Sequence, residues 1–355
     1  MARTLPIADL AVSLWLPERG LGVDFLGPTL RGLIGYGLRE VACTHGSDAH
    51  GRCPCPARCD YAHLFEGTPP ASGPAGYSAV PQPFRLIVDA PGAPRDPSGV
   101  HFTVRLFGRR AIALAPRVID AIDARSAHGI GSREAPFHIA NATLGRTRTI
   151  AMAPTAGTNP ATSAARPTRL EVRFTTPCML RKCQRARDGA LPTANDFVHA
   201  GRTRAWLLAV CYADPNSGAA LEQPPPPDAH LGGFTLASTN PDLTAWRIRR
   251  QSGRQHRAID LDGVIGNCAI EGDWSRERWW LRDAHELGVG KYTSFGLGSV
   301  ECSPLPDCAS AHSSAAPIQV DHDPSPIARR RRVRLPRWVQ LRGLPPGTPR
   351  GCAAR

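Results

Sequence analysis

The sequence predicts an α+β protein made of two copies of one β-α-β-β-α-β unit, and three observations carry that reading. Apolar periodicity switches between strand and helix spacing in the same order in both halves. A Pro/Thr/Ala/Gly-rich stretch at about residues 152–167 separates them. The second helix of each half ends in glycine-x-glycine, and Gly129 and Gly131 recur 159 residues later as Gly288 and Gly290. A shared offset of this kind marks an internal duplication. The unit is the ferredoxin-like, or RRM-like, arrangement.

In the first half, residues 5–16 read as a strand and 28–43 as a helix. A Cys/Pro/Gly-rich insertion, 43–66, follows that helix. Strands fit 84–89 and 101–107. A helix fits 112–125, where Ala111, Ile112, Ala115, Val118, Ile119 and Ile122 keep helical spacing, and a strand at 137–144 ends the unit. In the second half a strand fits 169–175 and a helix 195–212. Pro224 to Pro227 break the chain. Strands at 244–250 and 256–266, a helix at 274–286 and a strand at 296–302 complete the repeat. The expected domains are 1–151, 168–308 and a basic tail, 309–355.

The chain has 355 residues and a formal charge of +13. Its only lysines are Lys182 and Lys291, so 41 of its 43 basic residues are arginine. Arginine forks bind phosphate bidentately and stack on bases, which points to a nucleic-acid partner rather than a membrane. No apolar span of transmembrane length, lipidation signal or secretory pattern is present, so the expected compartment is the cytoplasm. Eleven cysteines, four of them between Cys43 and Cys59, suit reduced thiols or a metal better than a disulfide scaffold. The tail holds nine arginines, densest at Arg329–Arg334. It reads either as a solvated segment or as an RNA- or partner-binding arm.

The stretch from Glu286 to Cys302 carries Gly288, Gly290, Gly296 and Gly298 around Lys291 and Tyr292. Its order of helix, loop, strand is the reverse of a Walker loop or a dinucleotide fingerprint. Such a backbone is expected to cradle phosphate on its N–H groups. The plainer alternative is a flexible turn.

Several stretches together resemble a known family. Leu30-Arg-Gly-Leu-Ile-Gly-Tyr-Gly-Leu-Arg39 is similar to a first helix, and Cys53 to Glu66 to a Cys-rich insertion ending in Leu-Phe-Glu. Pro81-Gln-Pro-Phe84, Leu106-Phe-Gly-Arg109, Gln251-Ser-Gly-Arg-Gln255 and the final glycine loop follow in order. The chain thereby resembles the CRISPR repeat-processing endoribonucleases of the RAMP superfamily, over roughly residues 5–303. Its arginine-rich tail is similar to the crRNA-processing subunits of type IV systems, where the nuclease stays on its product.

The resemblance implies metal-independent cleavage of repeat RNA. The neighbouring 2′-hydroxyl attacks phosphorus, leaving a 2′,3′-cyclic phosphate and a 5′-hydroxyl. Such a site needs proton transfer and cations against the developing charge. The resemblance places these groups on or just after the first helix, where Arg31, Tyr36, Arg39 and His45 stand. His45 is the first candidate for acid–base work, although it reads equally as a metal ligand or a plain loop residue. Tyr36 reads otherwise as a packed aromatic, and Arg31 and Arg39 as a solvated helix face. Candidate RNA contacts are the loop residues Gly288, Gly290, Lys291, Tyr292, Gly296 and Gly298, and the basic stretch Arg181, Lys182 and Arg185. Arg247, Arg249, Arg250, Arg254 and Arg257, on or between two strands, are candidates for gripping an RNA stem through its phosphates. Cys43, Cys53, Cys55 and Cys59 have structural zinc as one reading and a proline-stiffened thiol insertion as the other. Expected partners are the repeat hairpin and further effector-complex subunits. The alternative of a different class is a non-catalytic RNA-binding subunit of such a complex.

Overall fold

The computed structural model describes residues 4–17, 21, 23–43, 58–67, 77–94, 96, 99–131, 133–152, 168–180, 191–214, 233–236, 242–252, 257–274 and 277–303. His45, Cys53, Cys55, Arg181, Lys182, Arg185, Arg254 and the tail from residue 304 lie outside them, as do most of the Cys-rich insertion and the linker.

β1 (Thr4–Trp15) alternates, with Leu10, Val12 and Leu14 buried, while Trp15 is 42% exposed. It is central in the first sheet. β3 (Gly99–Phe107) pairs along one edge, from Ile7↔Phe107 to Trp15↔Gly99. The other edge takes β4 (His138–Leu144) and then β5 (Arg148–Ala151). β2 (Phe84–Ile87) lies outside β3, giving the order β2-β3-β1-β4.

Four helices belong to this half: α1 (Gly27–Ala42), α2 (Asp60–Phe65), α3 (Arg109–Ala113) and α4 (Ala115–Ala124). α1 starts with Pro28 in its first turn, where a missing N–H costs nothing. Its Leu30, Leu33, Ile34 and Leu38 join Val118, Ala121 and Ile122 of α4 in one core with the inward faces of β1 and β3. At Gly37 the helices touch backbone to backbone, since a Cβ there would lie 1.9 Å from the Ala121 carbonyl oxygen.

The second sheet repeats the permutation. β6 (Thr168–Cys178) is central between β10 (Val300–Cys302) and β9 (Arg257–Gly272), with β7 (Thr235–Leu236) beyond β9. β8 (Asp242–Ser252) shares that edge of β9 and pairs with it from Asp242↔Asn267 to Ser252↔Arg257. α5 (Ala194–Tyr212) opens with a reciprocal capping box between Thr193 and Asp196. It packs beside α6 (Arg278–Leu281) and α7 (Ala284–Leu287), with Gly201 admitting the Trp280 ring. Both halves are therefore antiparallel ferredoxin-like sheets with helices, as the sequence predicts.

Three details differ from expectation. The helix expected at 112–125 breaks at Leu114, and the one at 274–286 is two short pieces joined through Arg282 and Asp283. α2 and β5 have no counterpart in the sequence reading. The second strand position of the second half is shared by β7 and β8.

The halves share a core. Leu5, Ile7, Phe107, Ile150 and Met152 of the first half pack in one cluster with Phe174, Phe197, Leu208 and Leu287 of the second half. Beside it runs a row of charge across β2, β3 and β1. Arg85 stands opposite Arg105, and Arg105 opposite Asp9. Like charges facing across strands repel, yet here they are neutralised from the other half. Arg105 donates bidentately to Asp9 at 2.7 and 2.8 Å and pairs with Glu286 at 2.6 Å. Arg148 bridges Asp9 and Glu286. Arg85 donates to the carbonyls of His285 and Glu286 at 3.0 and 3.3 Å and to Ser299 Oγ at 2.6 Å. Arg204 of α5 donates to the Leu287 carbonyl at 2.8 Å. Arg105 also donates to the His285 and Glu286 carbonyls, so the last carbonyls of α7, which have no partner inside their own helix, are bonded by three arginines. Burial, together with the neighbouring Arg105 and Arg204, pushes Arg85 down to about 9. Burial alone would raise Asp9, but Arg105 and Arg148 outweigh it and hold the carboxyl below its usual range.

Candidate nucleic-acid interface

The glycine loop leaves α7 at Gly288 and enters β10 after Ser299, and its backbone is left-handed at Gly288, Gly290, Tyr292, Gly296 and Gly298. The reason for glycine is close backbone approach. A Cβ at Gly290 would lie 2.4 Å from the Met179 carbonyl oxygen, and one at Gly298 2.0 Å from that of Val289. Most of the loop's donors are used internally. Val289 N–H donates to Gly298, Lys291 to Met179, Gly298 to Pro177 and Ser299 to Thr176 Oγ1. Phe295, Gly296 and Leu297 donate to carbonyls within the loop. Thr293 through Gly298 are buried. Gly288, Gly296 and Gly298 therefore serve packing, and so does the buried side of Gly290. The flexible-turn alternative fails on the same facts. Lys291 alone in this stretch is exposed, with Gly290 and Tyr292 half-buried beside it.

The loop is seated on α1. Arg31 donates through Nε to Ser294 Oγ at 3.3 Å, and its guanidinium lies over the Phe295 ring at 4.2 Å and near Phe65 at 5.0 Å. A Cβ at Gly27 would collide with the Phe295 carbonyl at 1.8 Å, so the first turn of α1 also meets this loop. Of the three expected catalytic residues that are described, Arg31, Tyr36 and Arg39, Arg31 is the one the structure brings to the glycine loop. Arg39, two turns on, lies over Tyr61 of α2 at 5.1 Å. Tyr61 and Phe65 stack at 5.5 Å, so Arg31 and Arg39 do share a helix face, and that face carries α2 instead of solvent. Tyr36 is 52% exposed, with Arg125 6.0 Å from its ring, which corrects the packed-aromatic alternative.

The β8–β9 hairpin presents two faces. Trp246, Ile248 and Ile259 pack toward Phe25, Leu261, Phe295 and Leu297 beneath the loop. Arg247 and Arg249 share the opposite, exposed face, as alternation predicts. Arg247 donates to Asp262 at 3.0 Å, and Arg249 lies 3.9 Å from Asp260. Among the described side chains of this face, Arg247 and Arg249 are thus each paired with an aspartate, which lowers their net positive charge. The backbones of Arg250 and Arg257 are in the hairpin, at Arg250↔Ile259 and Ser252↔Arg257.

The zinc reading gains nothing. Cys59 is buried at the start of α2, and no group of three or more His, Cys, Asp or Glu suited to a metal gathers among the described residues. His63 stands on α2. It is an imidazole held down to about 4 by burial and by nearby Arg110, so it is neutral at physiological pH.

Sequence reasoning missed the seam residues Asp9, Arg85, Arg105, Arg148, Arg204 and Glu286, which hold the loop's entry in place. A signal existed. Arg85 and Arg105 each interrupt an apolar run (Phe-Arg-Leu, Val-Arg-Leu), where a charge must be paired.

No helix among the described residues is long and apolar enough to cross a membrane. No curated protein matches the chain. Residues 172–300 match the family model described as CRISPR-associated endoribonuclease Cas6, and residues 5–162 match a family described as an N-terminal domain. Among solved structures, a Cas6 product complex aligns at 15% identity and a TM-score of 0.48, covering 83% of this chain and 99% of that one. A Cas6 substrate mimic complex aligns at 19% identity and 0.42, covering 84% and 99%. A Cas6-related protein from Pyrococcus furiosus aligns at 7% and 0.40, covering 84% and 98%.

Proposed function

We propose, from a chain whose residues 172–300 match the Cas6 endoribonuclease family model, that this protein cleaves CRISPR repeat RNA without a metal ion where α1 meets the glycine loop. The single observation that carries the placement is Arg31, a cation fixed between Phe65, Phe295 and Ser294 at the junction of the two halves. Lys291, exposed three residues from Ser294, supplies a second positive charge on the same loop.

The chemistry follows from the substrate. The 2′-hydroxyl of the nucleotide before the scissile bond attacks phosphorus, the P–O5′ bond breaks, and the products are a 2′,3′-cyclic phosphate and a 5′-hydroxyl. The nucleophile belongs to the RNA, so no metal-bound water is required. What the protein must supply is charge for the pentacovalent phosphorane and a proton path. Arg31 and Lys291 supply the charge. His45, just beyond α1, takes the proton from the 2′-oxygen or returns one to O5′, and exposed Tyr36 is the second donor. Arg39 holds the adjoining backbone.

The β8–β9 hairpin, with Arg247, Arg249, Arg250, Arg254 and Arg257, and the basic stretch Arg181, Lys182 and Arg185 track the phosphates of a repeat stem. These contacts, with the arginine-rich tail, keep the product bound and available to further effector subunits of a CRISPR complex, as in type IV systems. The deciding experiment incubates the purified chain with its repeat RNA in EDTA. Cleavage with cyclic-phosphate ends is expected. Intact RNA that stays tightly bound would make the protein a non-catalytic RNA-binding subunit instead. Lys291→Ala is expected to weaken repeat binding and lower its salt slope by about one. Unchanged affinity would remove Lys291 from the interface.

A further inference from the structure

Arg31 is held by a chain of hydrogen bonds whose direction is fixed. Gln82, just before β2, donates from Nε2 to the Phe65 carbonyl at 3.2 Å. A carbonyl only accepts, so the amide has one allowed orientation, with its oxygen turned the other way. That oxygen accepts from Ser294 Oγ at 3.1 Å. The Ser294 hydroxyl hydrogen is thereby committed to Gln82, and its lone pairs face Arg31 Nε, which donates to it at 3.3 Å.

The hub is rigid. Ser294 is 1% exposed, on a 3-10 turn (Thr293–Phe295) flanked by left-handed Tyr292 and Gly296. Phe295 N–H donates to Tyr292 and Gly296 N–H to Thr293, closing the turn. Four elements distant in sequence meet here: α1, α2, the segment entering β2, and the glycine loop. A buried chain of this kind strengthens each of its links. It also fixes the guanidinium plane, which the Phe295 ring alone would leave able to slide.

We propose that Gln82 and Ser294 are positioning residues for RNA cleavage, forming a one-way relay from the Phe65 carbonyl that orients the Arg31 guanidinium toward the scissile phosphate. This rests on the reading above that Arg31 serves the reaction. The relay gives a reason why the glycine loop is placed against α1: it delivers a hydroxyl to an arginine.

The test is single-turnover cleavage and equilibrium binding of repeat RNA by the full chain, for S294A, Q82L, Q82E, R31A and the double variant R31A/S294A. S294A and Q82L are each expected to slow cleavage about tenfold with Kd changed less than about twofold, because orientation and not affinity is lost. Q82E keeps the acceptor toward Ser294 and is expected to lose less than Q82L. In the R31A background, S294A is expected to add nothing, since the relay ends on the missing group. An equal tenfold loss in both backgrounds would overturn the relay, as would wild-type rates for S294A and Q82L beside a slow R31A. A wild-type rate for R31A would instead overturn the reading of Arg31, and the relay with it. If S294A does not fold, Q82L and Q82E decide by the same criteria.

Discussion

The two glycine-x-glycine loops begin alike and end differently. Gly129 and Gly288 close their helices at φ/ψ of 77°/174° and 74°/163°, and Gly131 and Gly290 follow at φ 79° and 82°. The first loop then turns back at once, with Ile130 and Ala135 exchanging both backbone hydrogen bonds, and Gly131 left exposed. The second runs on to Gly298, tied to β6 by its amides and to α1 and β2 by Arg31, Gly27 and Arg85. One backbone device has therefore been kept in both halves and given different work by what packs against it. In the first it closes a short hairpin. In the second it becomes a wedge between halves, and that wedge carries the proposed site.

Substitutions can break this comparison. Gly298→Ala should be the most damaging, combining about 1–2 kcal/mol of left-handed strain with a 2.0 Å approach to the Val289 carbonyl. A total above about 4 kcal/mol is expected, seen as a steep fall in denaturation midpoint or loss of soluble protein. A near-normal midpoint would show that the wedge is not packed as described. Glu286→Gln comes next, at about 3 kcal/mol, because it leaves Arg105 and Arg148 under-compensated at the seam. Urea titration measures it, and a change under about 1 kcal/mol would mean that the seam is wet. Gly131→Ala should cost only about 1–2 kcal/mol, since its Cβ would meet nothing closer than Thr29 at 3.9 Å. If it matched Gly298→Ala, the contrast between the loops would collapse.

A smaller effect concerns pH. The folded His63 pKa of about 4 lies below the ordinary 6.5. The unfolded chain then binds the extra proton between these values, so the His63 contribution to stability is full above about 6.5 and falls away toward about 4. His63→Gln should flatten that part of the profile of thermal midpoint against pH. An unaltered slope would assign it to groups other than His63, and Asp9 is not among them. Its depressed pKa contributes stability that is lost only as pH falls further, through the folded value.

The fold was legible because apolar alternation and helical spacing survive in both halves, and the paired glycines fixed the repeat. The split at Leu114 was not, because Pro116 fits the first turn of a new helix as well as a gap in an old one. β5 was missed because Arg148-Thr-Ile-Ala carries one buried apolar side chain, Ile150. The site was half legible. Arg31 and the glycine loop were both marked, but their meeting depends on Phe65, Gln82 and Ser294, which no local pattern connects. The packing role of the loop was not legible, because glycine spacing reports backbone freedom and not who uses the amides. The seam arginines looked like surface charge in a chain with 41 arginines.

The most direct test is the rate at which Arg31→Ala cuts repeat RNA in EDTA, beside its affinity for the same RNA. If the junction of α1 and the glycine loop is where the phosphate reacts, the variant should cut about a hundredfold more slowly while binding within a few-fold of the parent. Cutting at the parental rate would contradict the account, and the chemistry would have to be sought elsewhere on the chain.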